Sequence, residues 1–178
     1  MTDIGEKFST EYQVVTLIKS DDVISSSTFV DMVELQIAFT DDEDISKSLT
    51  DQQTKINSIV SLPNSLATHF NFTGDNLSEL KSLYESKSDQ EIKSALQDAI
   101  GDPYAGAAII PLLGEFNENS TTAKSTIITL KLDNSNREGE NSVQALERVA
   151  KVENVMGTIS IDHRENKFTG TSAYSLGQ

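Results

Sequence analysis

The sequence predicts an α+β domain in which two β-α-β halves share one sheet and a helical insertion separates them. Three observations lead there. A β-branched run, an amphipathic segment and a second short run occur in that order near the start, and the order returns in the last third. Between the two, residues 75 to 116 carry their apolar side chains at helical spacing. With 178 residues, 37% of them hydrophobic, the chain can form one domain, 1–178, around a real core.

The first half begins with YQVVTLIKS (12–20), a strand of β-branched and apolar residues closed by Ser-Asp-Asp. SSSTFVDMVELQIAFTDDED follows as a capped helix. A serine or threonine near 26–28 supplies the cap, Asp31 sits in the first turn, and Phe29, Met32, Val33, Gln36, Ile37 and Thr40 form the sheet-facing stripe. INSIVSL (56–62) is a second strand, stopped by Pro63-Asn64. The second half repeats the order. STIITLKLD (125–133) is a strand, and ENSVQALERVAKVEN (140–154) is a helix with Val143, Leu146, Val149, Ala150 and Glu153 on one stripe. GTISIDH (157–163) is the last strand. Residues 12–19, 56–61, 125–132 and 157–162 are therefore expected in one mainly antiparallel sheet, with helices 28–39 and 141–152 on the same face. That order is the signature of a ferredoxin-like, split-βαβ fold.

The insertion, about 75–116, opens with DNLSELKSLYES, which spaces Leu77, Leu80, Leu83 and Tyr84 for one helical face. SDQEIKSALQDAIGD is a second helix, with Ser88 as N-cap and Gly101 as stop. GDPYAGAAIIPLLGEF is a third, with Pro103 in its first turn. Spacing turns Ile109, Leu112 and Leu113 inward, toward Leu80, Leu83 and Leu96, and leaves Tyr104 and Ile110 nearest the outside. Tyr104, Ile109, Ile110 and Leu113 are the candidate residues for an apolar contact surface.

Charge and composition exclude several functions. Twenty-eight acidic against 14 basic residues give a formal charge of −14, which repels phosphate backbones and argues against nucleic-acid binding. Cysteine is absent, so disulfides, thiolate zinc sites and cysteine nucleophiles are excluded. The N-terminus MTDIGEKF has neither a basic region nor an apolar core of a signal peptide. Nothing approaches the ~20 apolar residues of a membrane span, so the chain reads as soluble.

Catalytic patterns fail on inspection. Ser78-Glu79-Leu80-Lys81 matches Ser-x-x-Lys without its companion motifs, and Gly170-Thr171-Ser172-Ala173 lacks the closing glycine of a nucleophile elbow. His69 and His163 stand far apart, and His163 is read as a turn residue after a strand. Asp41-Asp42-Glu43-Asp44 and the loop from Asp133 to Glu138 carry charge without calcium-loop spacing, and are read as solvated loops. No enzyme, metal or cofactor is expected. Sequons at Asn71, Asn76 and Asn119 are about what chance gives for 11 asparagines.

The stretches YQVVTLIKSDDVISSSTFVDMVELQ, INSIVSLPNSL, GDPYAGAAIIPLL, STTAKSTIITLKLD and FTGTSAY, in that order, resemble the first extracytoplasmic loop of archaeal RND-superfamily exporters. These are related to the mycobacterial large membrane proteins and to Patched-like transporters. The resemblance spans nearly the whole chain. It implies a non-catalytic porter domain at the extracytoplasmic face of the membrane, cut from a longer protein. Its partners would be the parent transporter's transmembrane helices, an apolar or lipid-like substrate, and other copies of the parent in a homo-oligomer. It also implies that Tyr12 and Tyr174 lie on the same side of the domain. A stand-alone cell-surface binding or adhesion module with the same fold is the second reading. A cytosolic regulatory enzyme domain is a distant third.

Overall fold

A computed structural model describes residues 11–133, 139–166 and 173–175. The molecule is α+β. Strands β1 (Glu11–Lys19), β2 (Ile59–Val60), β3 (Ser125–Asp133) and β4 (Ala173–Ser175) form one sheet in the order β2-β3-β1-β4. Every neighbouring pair is antiparallel. The two central strands pair along their full length, from Glu11↔Asp133 to Lys19↔Ser125. β-Branched residues favour this extended backbone, and strict alternation puts Tyr12, Val14, Ile18, Ile128, Leu130 and Leu132 on one buried face. On the other face, Val15 and Thr129 are buried while Gln13 is exposed.

The edge strands depart from expectation. Of 56–61, only Ile59 and Val60 are extended: 56–58 is a 3-10 turn, and Leu62 already begins a helix. Residues 157–162 are not a strand at all, because they lie inside helix α7 (Ser142–Asn166), so His163 is on a helix and not in a turn. The fourth strand is Ala173–Ser175, within the FTGTSAY stretch. It pairs with β1 through Thr16↔Ala173, Val15↔Tyr174 and Val14↔Ser175. Running antiparallel, β4 leaves the sheet at the end where β1 enters it. Tyr174 is level with Val15, three positions from Tyr12, or roughly 10 Å along the strand.

Helix α1 (Ser26–Asp41) is capped by Ser25, whose side chain accepts from the Thr28 amide at 3.2 Å. The cap is thus one residue upstream of the predicted range, and Asp31 falls beyond the first turn. α1 buries Leu35 and Phe39 as well as Phe29, Met32, Val33 and Gln36, because further helices pack against it. Asp42 ends α1 and caps helix α2 (Glu43–Ser48), with Glu43 and Asp44 in its first turn. The acidic run is a helix junction rather than a solvated loop, held by the positive end of the helix dipole.

The insertion starts earlier than predicted. Ser61 caps helix α3 (Leu62–Leu66), and Pro63, read as a strand stop, sits in its first turn, where its missing N–H costs nothing. After a 3-10 turn, 67–70, come α4 (Leu77–Glu85) and α5 (Asp89–Gly101). α5 has the full capping box of Ser88 and Glu91. Next follow α6 (Pro103–Ile109) and a 3-10 turn, 110–112. The chain then returns to β3 through Gly114, whose N–H and carbonyl pair with Ser125 and Lys124. A Cβ on Gly114 would meet Ser125 Oγ at 1.9 Å, so a larger residue there would force the serine hydroxyl to turn away.

α7 also corrects the predicted stripe. Val143, Leu146 and Ala150 face out, and the buried line is Ala145, Val152 and Met156, with Val149 and Ile159 half-buried. Val152 and Met156 join the same buried cluster as α1 and the central strands, so both helices cover one face of the sheet. The error follows from ending the helix at 154. Met156 and Ile159 complete the alternative stripe, and their burial carries the helix through Gly157 despite its poor propensity. Asn141 and Gln144 cap the start reciprocally, each accepting from the other's amide at 2.9 Å. Arg148 ties that start to Glu140 at 3.2 Å and to the Asp133 carbonyl at 3.3 Å.

Candidate functional site

The apolar run 105–114 is built as a helix with two unlike sides. Asp102 closes α5 and caps α6, accepting from the amides of Tyr104 at 2.8 Å and Ala105 at 3.0 Å. Those two amides hold its carboxyl below the ordinary range, with a smaller contribution from His69. Gly106 is buried, and a Cβ there would lie 2.8 Å from the Ile100 carbonyl oxygen. The missing side chain lets α6 fold back tightly on the end of α5.

Of the four candidate contact residues, two reach solvent. Tyr104 is 90% exposed and Ile110 52%. Ile109 is 1% exposed, which removes it from any contact surface: its helical phase points it into the core with Leu112. Leu113 is half-buried at the margin. Pro103, Ala107, Ala108 and Pro111 widen the exposed side. Ile109 and Leu112 share one buried cluster with Leu80 and Leu96, but α6 itself lies against α3 and α5. α4, expected beneath it, packs instead on α1.

The inner side of the insertion is anchored by specific contacts. The Tyr84 ring is edge-on to Phe29 at 5.1 Å and to Phe70 at 6.0 Å, and its hydroxyl donates to the Pro63 carbonyl. Burial pushes the Tyr84 phenol far above its ordinary pKa. Lys93 of α5 donates to Asp22 Oδ2 at 2.6 Å and to the Thr121 carbonyl at 2.8 Å. Asp22 also accepts from the Ile24 amide at 2.9 Å. Sequence reasoning missed this clamp, since Asp22 and Lys93 lie 71 residues apart with no local pattern.

Lys81 pairs with Glu34 at 3.3 Å, which occupies the lysine of the Ser-x-x-Lys match. Gly170 to Ser172 and Asn134 to Glu138 lie outside the described residues. Among the described residues no group of His, Asp or Glu side chains could hold a metal ion. His69 lines an open groove of about 330 Å³ with Phe70, Lys87, Glu91 and Asp98, where the Lys87 ammonium stands 5.0 Å over the Phe70 ring. A second groove, of about 300 Å³, runs beside β2 between Ile59, Asn64 and Phe72. Of the sequon asparagines, Asn76 caps α4, Asn71 adopts a left-handed backbone, and all three are exposed. No helix among the described residues is long and apolar enough to cross a membrane.

Comparison of the chain with protein-family models, with curated proteins and with solved structures finds no match.

Proposed function

We propose that the chain is a non-catalytic porter domain of an RND-superfamily exporter, standing at the extracytoplasmic face between two membrane helices of its parent. One observation carries this reading. β1 enters and β4 leaves at the same end of the sheet, side by side and antiparallel. A loop strung between two helices of one bilayer must leave and return on one side, and this topology meets that requirement. The order β2-β3-β1-β4, with a helix after β1 and another after β3, supports the ferredoxin-like form of the fold. In this reading the sheet and its two helices form a rigid unit, and the outer side of α6 is its apolar contact surface. The test is the reading frame on either side of these codons. Apolar spans of about 20 residues close to both ends support the proposal. Stop codons at both ends defeat it and leave a stand-alone surface-binding module.

A further inference from the structure

We propose that the outer side of α6 is a docking surface for a partner polypeptide whose contacting segment is apolar and flanked by lysine or arginine. Exposure gives the first argument. Tyr104 is 90% exposed and Ile110 52%, and neither lines the grooves beside His69 and Phe72. Small molecules bind in concavities, whereas a side chain as exposed as Tyr104 suits contact with a second polypeptide. Ala107 and Ala108 present a low surface between Tyr104 and Ile110, so a helix or strand can approach the backbone closely. A projecting tyrosine is also a typical interface anchor.

Charge specifies the partner. Residues 94–123 contain four carboxylates, Asp98, Asp102, Glu115 and Glu118, and no lysine, arginine or histidine. All four are exposed, two before α6 and two after the turn that follows it. His69 acts on Asp102 from the neighbouring 3-10 turn, Lys87 lines a groove with Asp98, and the Lys124 amide bonds the Gly114 carbonyl next to Glu115. An apolar strip between acidic ends fits an apolar segment between basic ends. A second copy of this chain would bring like rims together on top of a charge of −14 each. An anionic lipid surface is repelled for the same reason. The inference rests on α6 being a contact surface, as in the reading above, but not on flanking membrane helices, so the reading-frame test and the binding test fail independently.

The experiment uses the whole chain and a labelled amphipathic peptide of leucine and alanine with two lysines at each end, followed by fluorescence anisotropy. A peptide with glutamates in place of the lysines is the first comparison. Because an acidic protein attracts any cation, the deciding variants leave the charge unchanged. Tyr104→Ala should weaken binding of the lysine peptide by about tenfold or more. Leu146→Ala, which truncates the 68% exposed leucine of α7, should not change it. Affinity should fall as salt is raised. Equal effects of the two variants, or no binding of the lysine peptide, overturn the proposal. Two further outcomes also overturn it: self-association in sedimentation that Tyr104→Ala abolishes, or binding to neutral phosphatidylcholine vesicles that the same variant abolishes.

Discussion

The two sides of the helical insertion use the same residue types for opposite ends. Inward, Leu80, Tyr84, Ile92, Leu96, Ile109 and Leu112 are buried in one continuous core with the sheet helices. Lys93 and Asp22 lock that side by charge. Outward, Tyr104 and Ile110 lie in water with Ala107, Ala108 and two prolines around them. The contrast teaches that the outer apolar surface is not a shortage of core. The insertion is held by its inner contacts, and leaving Ile110 52% exposed forgoes roughly half of the ~1.5–3 kcal/mol that full burial of an isoleucine contributes.

This comparison can be broken at several points. Leu80→Ala removes a fully buried side chain from the inner side and should lower stability by about 2–5 kcal/mol in urea unfolding. A loss below ~0.5 kcal/mol would mean that the insertion is not packed as described. Asp22→Ala strips Lys93 and the Ile24 amide of their shared acceptor. It should cost about 2 kcal/mol, discounted from a fully buried pair because both groups retain some exposure.

Tyr84→Phe should cost about 1–2 kcal/mol, since the Pro63 carbonyl loses its donor. It also carries a pH signature. The folded phenol has a raised pKa, so its contribution is fully present below the ordinary tyrosine value near 10 and is lost as pH rises beyond it. Wild type should therefore destabilise more steeply than Tyr84→Phe as pH rises above about 10. Parallel curves for the two proteins would refute the burial of that hydroxyl. The smallest effect sharpens the contrast: Ile110→Glu on the outer side should change stability by no more than ~0.5 kcal/mol. A large loss there would return α6 to plain core.

Much of the central architecture was legible because it depends on local chemistry. β1 and β3 are dense in β-branched residues with the right period, and α5 announces itself through Ser88 and the spacing of Ile92 and Leu96. The two sides of α6 were legible too, from Pro103 and the phase that separates Ile109 from Ile110. The acidic run at 41–44 was not, because whether a carboxylate caps a helix or sits in a loop depends on where the next turn begins.

What the sequence determined by itself was therefore the central strands, the caps and the helical phases, each set by neighbours within a few positions. Tertiary structure decided the rest. GTISIDH has strand-forming residues and a glycine, yet it is helix because Met156 and Ile159 extend a buried line begun at Ala145. Ala173–Ser175 is a strand because β1 offers it an open edge. The Lys93–Asp22 clamp joins positions 71 residues apart. Burial and long-range pairing are properties of surfaces that meet only in the folded chain, and where local preference is weak or divided, those contacts choose.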